Sequence, residues 1–261
     1  MDPVECALFD IRNKDKPIGA DFDSIYISKY AFEKAYTYAE LACELAGHTI
    51  ECGGYLICPE DSSDRIARDS FLAREQRVSE GLYVLRPEDV RRAGNEIENL
   101  GSKVLGWWHS HGELSTFFSC VDDRGQMTCL NAIAPKYYIT KFFETELKNI
   151  ERTVNGNKII LFDRKKSSRK YELEINDPHV EISGLKIIQE KRVGFSYGLV
   201  VNKSETRLPY SEIAVRDLCT VCRQSHDISY IVDVKLFEDG DFKIDRDAII
   251  AELKEKVPAL K

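Results

Sequence analysis

Two short apolar segments constrain the fold of this chain more than any other feature. Residues 49–58 and 103–111 are rich in apolar side chains, and each follows a stretch with helical periodicity. Both are far shorter than the roughly 18–20 apolar residues of a membrane helix. Strands that are apolar on both faces lie inside a sheet whose two faces are covered. The two segments therefore predict central strands with helices packed against them.

The rest of the chain mixes helices and strands without a regular alternation. The helical pattern after Ser28 ends at Gly47, which is well suited to a helix C-terminus, and a second helix opens at Pro87 and ends at Gly101. Further helices are predicted through Met127, ending before Pro135, and at 247–256. Further strands are predicted at 24–27, near 71–85, and at 195–202, 210–216 and 230–237, with 184–191 ambiguous. Residues 159–163 and 169–175 are predicted to form a hairpin around a turn at 164–168. This order predicts an α/β or α+β-like sandwich around one central mixed sheet.

Charge is uneven along the chain, and its sign excludes one class of function. The 37 basic and 44 acidic residues give a net charge of -7, but residues 135–192 hold 13 basic and 9 acidic side chains. An acidic total argues against nucleic-acid binding, which needs a basic surface to neutralise phosphates. The basic middle segment is instead a candidate surface for an acidic partner protein.

The N-terminus and the cysteines predict the compartment. The first ten residues carry acidic side chains where a secretory signal needs basic and apolar ones, and no apolar run could span a bilayer. The eight cysteines are spread through apolar surroundings rather than packed as in a small disulfide scaffold. We therefore expect a cytoplasmic protein without membrane partners, whose cysteines are mostly reduced thiols.

One group of residues points to metal chemistry. His109 and His111 are separated by one residue on a predicted strand, so their side chains lie on the same face. Asp122 follows after a loop long enough to fold back toward them. Two imidazoles and one carboxylate, with water in a fourth position, are typical of catalytic zinc, whereas structural zinc is usually closed by four ligands.

The same residues resemble a known family. Residues 109–122, His-Ser-His-Gly-Glu-Leu-Ser-Thr-Phe-Phe-Ser-Cys-Val-Asp, resemble the JAMM motif of the MPN (JAB) zinc metalloproteases. Upstream, Glu51-Cys52-Gly53-Gly54 is similar to the family's Glu-x-x-Gly strand. The resemblance implies an MPN domain over 22–215 with an insertion at about 136–192, an N-terminal extension at 1–21 and a C-terminal extension at 216–261. Members often have proline after the second histidine, where this chain has Gly112.

The resemblance also implies a role for each residue of the motif. His109, His111 and Asp122 would bind Zn²⁺, Glu51 would activate water and protonate the leaving amine, and Ser119 would donate a hydrogen bond to the oxyanion. Other interpretations stay open: Glu51 as an ordinary glutamate at a strand edge, Ser119 as a helix cap, and Asp123 as the third ligand. Trp107 and Trp108 are predicted to be core residues.

A second metal feature is weaker. Cys219 and Cys222 form a single Cys-x-x-Cys with His226 nearby, but no fourth ligand is evident. Ordinary turn cysteines, a structural zinc site and a redox pair are the three interpretations.

The motif favours an enzyme over other classes of protein. Proteins with this motif commonly cleave at the C-terminus of ubiquitin or a ubiquitin-like modifier, so we expect a metallo-isopeptidase with such conjugates as partners. The alternatives are a peptidase acting on a sulfur-carrier or other small peptide substrate, and a non-catalytic MPN scaffold subunit. The sequence leaves open whether the protein works alone, as a homodimer or within a complex.

Overall fold

The computed structural model describes most of the chain from residue 22 onward. The described residues are 22–74, 76, 78–79, 82–84, 86–147, 150–155, 158–163, 170–174, 185–204, 208–218 and 225–260. The predicted extension at 1–21, the hairpin turn at 164–168, and Cys219 with Cys222 lie outside them.

The described elements alternate irregularly between helix and strand, as predicted. In chain order they are β1 (Ser24–Ser28), α1 (Lys29–Ala46), β2 (Gly53–Pro59), β3 (Asp69–Leu72), β4 (Val78–Ser79), β5 (Leu82–Tyr83), α2 (Pro87–Asn99), β6 (Ser102–Ser110), α3 (Cys120–Ile133), β7 (Tyr138–Leu147), β8 (Ile150–Asn155), β9 (Lys158–Asp163), β10 (Lys170–Glu174), β11 (Leu185–Val201), β12 (Tyr210–Leu218), β13 (Ser225–Ile231), β14 (Asp233–Phe237) and α4 (Arg246–Lys256). A short 3₁₀ helix, Pro258–Leu260, follows α4.

The helix ends are set by the residues that the sequence analysis singled out. The Ser28 hydroxyl accepts a hydrogen bond from the Ala31 amide at 3.1 Å, and Gly47 ends α1 with a left-handed φ of 70°. Pro87 opens α2, where its missing N–H is not needed. At the start of α3, Ser119 and Asp122 form a reciprocal capping box.

Several strand predictions differ from the structure in detail. β2 starts at Gly53 rather than at residue 49, so Glu51 lies just before the strand. Residues 185–191 of the ambiguous segment belong to the long strand β11, and the predicted single strand at 230–237 is divided between β13 and β14. The predicted strand near 71–85 is likewise divided, into β3, β4 and β5, and strands β7 and β8 were not predicted.

The central sheet is mixed and carries helices, which confirms the predicted fold class. Its strand order is β13-β12-β11-β6-β2-β3, and β7 also pairs with β11. β6 runs parallel to β11 and antiparallel to β2, so β6 lies in the middle of the sheet. Trp107 and Trp108 point to opposite faces of β6, and both are buried as predicted. On one face Tyr38 of α1 stacks on Trp108, and on the other Tyr83 stacks on Trp107.

The chain divides into two compact units. One contains Ile139–Arg192 with Leu218–Ser225, and its described core is the antiparallel sheet β10-β9-β8, which includes the predicted hairpin of β9 and β10. The other, which we call the main unit, contains the described residues of Lys14–Tyr138, Val193–Asp217 and His226–Lys261. The domain boundaries inferred from the family resemblance remain predictions.

The C-terminal residues contribute to the main unit. β14 pairs in parallel with β1, and α4 packs on α1. Tyr38 of α1 donates a hydrogen bond to Glu252 of α4, and Glu252 also accepts one from Lys256 at 2.7 Å. Among the described residues, no helix combines the length and the apolar character that a membrane crossing requires.

Candidate metal centre

Strand β6 delivers two histidines to one place. His109 is the penultimate residue of β6 and His111 follows its end, so the period of two puts both imidazoles on the face that also carries Trp107. The His111 amide continues the ladder by donating to the Val201 carbonyl of β11 at 3.0 Å. The ring centroids of the two histidines are 5.0 Å apart.

The N-terminal turn of α3 brings a carboxylate to the same point. Oδ1 of Asp122 lies 3.1 Å from Nε2 of His109, and Oδ2 lies 3.7 Å from Nε2 of His111. One ligand atom from each of the three buried residues lies within 4.8 Å of the other two. The structure thus assembles the three residues that the sequence analysis proposed as ligands, and Asp122 rather than the exposed Asp123 faces the histidines.

The buried ring nitrogens of His109 fit a metal ion. The side chain is 0% exposed, and in the described structure neither ring nitrogen has a hydrogen-bond partner of acceptable geometry. The ring is fixed by stacking on Trp107, at a centroid distance of 4.6 Å and an interplanar angle of 7°. A buried polar group without a partner is costly, and coordination of one ring nitrogen would remove part of that cost. The ligand set, two nitrogens and one oxygen, suits zinc.

Charges and hydrogen bonds around Asp122 and His111 favour the binding of a cation. Burial raises the pKa of the Asp122 carboxyl, but the two imidazoles and the Ser119 amide outweigh it and lower that pKa well below its usual range. The Ser119 amide donates to Oδ2 of Asp122 at 2.7 Å. His111 Nδ1 lies 2.7 Å from the Ser115 carbonyl, and a proton on Nδ1 leaves the Nε2 lone pair for a metal.

Glu51 lies beside the three residues, immediately before β2. Gly53 pairs with His109, and the Ser110 amide donates to the Cys52 carbonyl at 2.7 Å, so Glu51 is next to the end of β6. The side chain is buried. Burial, helped by the charge of Asp122 and opposed by His111, raises the pKa of Glu51 to about 7. A carboxyl with a pKa near neutrality can both accept and donate a proton.

Ser119 has a structural role that is visible directly. Its hydroxyl oxygen accepts hydrogen bonds from the amides of Val121 at 3.2 Å and Asp122 at 3.3 Å. These contacts use the oxygen lone pairs, whereas an oxyanion role would use the hydroxyl proton. Capping and oxyanion stabilisation are therefore chemically compatible.

The backbone conformation at Gly112 explains why this chain lacks the proline that family members often have after the second histidine. Its φ is +52°, in the left-handed region, and a Cβ there would lie 2.5 Å from the Cγ2 atom of Thr49. Proline, with φ fixed near −65°, does not fit this conformation. The backbone here takes a path that glycine permits.

Two contributors escaped the sequence analysis. Ser110, between the histidines, points to the opposite face, where its hydroxyl accepts the Cys52 amide at 3.0 Å and so helps hold the segment that carries Glu51. The Ser115 carbonyl is a backbone group, so its contribution cannot be recognised from the residue type. The ring of His226, like Cys219 and Cys222, lies outside the described side chains, so the second metal hypothesis stays a prediction.

Comparison with known proteins agrees with this geometry. Residues 34–141 match the family described as prokaryotic homologs of the JAB domain. The matched range contains Glu51, His109, His111, Ser119 and Asp122. No curated protein matches the chain significantly. The match over residues 34–141 supports the resemblance to the JAB/MPN family that the sequence motif indicated.

Proposed function

We propose that the protein is a zinc-dependent hydrolase that cleaves a peptide or isopeptide bond at the C-terminus of ubiquitin or a ubiquitin-like modifier. One observation carries the proposal: the buried convergence of His109, His111 and Asp122 beside a carboxyl, Glu51, whose pKa is raised to about 7. A JAB scaffold without catalysis has no need of this combination.

The residues of the chain would divide the chemistry between them. His109, His111 and Asp122 would hold the ion, and when bound, zinc polarises a carbonyl and makes hydroxide available near neutral pH. Glu51 would take a proton from the attacking water and return it to the leaving amine, as its raised pKa allows. The Ser119 hydroxyl would donate to the oxygen that gains negative charge.

The surroundings of the site favour a polypeptide substrate. Leu114, Phe117 and Leu208 are 47%, 49% and 85% exposed. Phe117 packs edge-on against His111 with centroids 5.1 Å apart, and the Thr116 hydroxyl donates to the Leu208 carbonyl at 2.8 Å. These apolar side chains next to the ligands suit the extended, partly apolar tail of a protein substrate.

A second candidate has a specific observation in its favour. Because the family match is to prokaryotic JAB homologs, a sulfur-carrier protein or another small peptide substrate is the leading alternative within the same chemistry. The non-catalytic scaffold is the alternative from a different class. A cytoplasmic location and the absence of a nucleic-acid partner belong to the proposal as well.

Cleavage assays separate these functions. Ubiquitin-like fusions and carrier proteins with a C-terminal amino-acid extension are incubated with the zinc-loaded wild type, Glu51→Gln and His109→Ala. We expect cleavage by the wild type alone, and the cleaved substrate identifies the class. Equal cleavage by all three proteins would refute the mechanism, and a zinc-loaded wild type inert toward every substrate would support a scaffold.

A further inference from the structure

Three consecutive residues at the end of β11 hold the turn that carries His111. The Val201 carbonyl accepts the His111 amide at 3.0 Å, and the Lys203 amide donates to the Gly112 carbonyl at 2.9 Å. Between them, Nδ2 of Asn202 donates to the Leu114 carbonyl at 2.8 Å. Residues 201–203 thus contact the turn at His111, Gly112 and Leu114.

Asn202 contacts the turn through a buried side chain, whereas the Lys203 side chain forms an exposed ion pair with Glu113. Asn202 is 1% exposed, although it lies just beyond the end of a strand, where polar side chains usually reach water. Both ends of its amide are used, because Oδ1 also accepts the Ser204 amide at 3.2 Å. This pair of contacts fixes which end of the amide faces the turn.

This turn carries the carbonyl that contacts the ring of His111, a proposed metal ligand. The Leu114 amide donates to the His111 carbonyl at 2.8 Å, and the next residue, Ser115, places its carbonyl 2.7 Å from Nδ1 of His111. The partner of the second ring nitrogen decides which nitrogen carries the proton and how the ring is oriented toward a metal. The Leu114 carbonyl, which Asn202 binds, is one peptide unit away from that partner.

We propose that Asn202 is a positioning residue for the metal centre. Its amide holds the 112–115 turn so that the Ser115 carbonyl fixes His111 as the tautomer with a proton on Nδ1. The inference rests on the proposed function, since it takes His111 to be a ligand through Nε2. It adds a residue 80 positions beyond Asp122, outside the sequence motif and outside the range matched by the JAB family.

Two variants separate the donor from the rest of the side chain. Asn202→Ala removes both contacts, whereas Asn202→Asp keeps the shape and the oxygen that faces Ser204 but replaces the donor by a carboxylate oxygen. Ser70→Ala is the matched control, because it deletes another buried hydrogen bond to a carbonyl, from the Ser70 hydroxyl to Ala31 at 2.7 Å.

The first measurement is zinc affinity of the full chain, by competition with a chromophoric chelator. Loss of an outer hydrogen bond to a ligating histidine commonly weakens metal binding about 10–100-fold. We expect both Asn202 variants to bind zinc about tenfold or more weakly, and Ser70→Ala to bind as the wild type does. The second measurement is the ¹⁵N spectrum of the His111 ring in the metal-free protein, where the Nδ1–H tautomer of the wild type should give way to a mixture.

Wild-type zinc affinity and an unchanged His111 tautomer in Asn202→Asp would overturn the inference while leaving the proposed function intact. Equal weakening in Ser70→Ala would also overturn it, because the effect would then be general destabilisation. Failure of the wild type itself to bind zinc would overturn the proposed function, and the inference with it. If Asn202→Ala does not fold, Asn202→Asp alone decides.

Discussion

Replacing Glu51 with glutamine should have opposite effects on stability and on activity. Glutamine has nearly the same shape as glutamate but carries no charge, so it mimics the protonated acid. The wild-type carboxyl is buried, and its pKa is raised to about 7 from an ordinary value of 4.5. In the metal-free protein, the charged form of Glu51 therefore opposes folding.

The size of the effect follows from the pKa change. Each tenfold change in the acid constant corresponds to about 1.4 kcal/mol, which gives an upper limit of about 3 kcal/mol above pH 7. Relaxation and water penetration around a buried charge reduce this to about 1–2 kcal/mol. Because the folded protein binds more protons than the unfolded one between about pH 4.5 and 7, its stability falls as pH rises through that window.

Urea unfolding of the metal-free proteins at several pH values tests this reasoning. We expect Glu51→Gln to be more stable than the wild type at pH 8, and the difference to shrink toward zero near pH 4.5. The variant should have no hydrolytic activity when loaded with zinc. A variant that is less stable at pH 8, or a difference independent of pH, would refute the electrostatic account of Glu51.

Three further predictions concern the metal, the turn after β6 and the thiols. Chelation should lower the melting temperature of the zinc-loaded wild type by about 5–10 °C, since a ligand at 100 times its Kd adds about 2.7 kcal/mol; scanning calorimetry measures this, and an unchanged melting temperature would contradict it. Gly112→Pro, which restores the common family residue, should destabilise the protein by about 1–3 kcal/mol because φ is +52°; unaltered urea unfolding would show that the turn tolerates the change. Iodoacetamide should alkylate the exposed Cys120 in the native protein but not Cys52, which is buried and whose pKa is raised to about 12; peptide mass mapping distinguishes them, and equal labelling would contradict the burial.

Much of the site could be predicted because its signals are local. A period of two puts His109 and His111 on one face, and the spacing from Ser119 to Asp122 is that of a capping box, which orients the carboxylate as it starts α3. The helix ends at Ser28, Gly47, and Pro87 were equally visible.

What could not be predicted depends on contacts between distant segments. The start of β2 at Gly53, rather than at residue 49, is set by pairing with β6 and β3, which no local pattern reveals. The Ser115 carbonyl and Asn202 act through backbone geometry and a hydrogen bond between residues 88 positions apart. For the basic segment within 135–192, the sequence indicated an excess of positive charge but not which surface carries it.

Metal titration of the purified full-length protein tests the central claim most directly. Metal-free wild type and His109→Ala are titrated with zinc in a calorimeter. We predict one tight site per chain in the wild type and none in the variant, because the buried His109 ring converges with His111 and Asp122 on one point. A folded wild type that binds no zinc, or a variant that binds it equally well, would contradict the account.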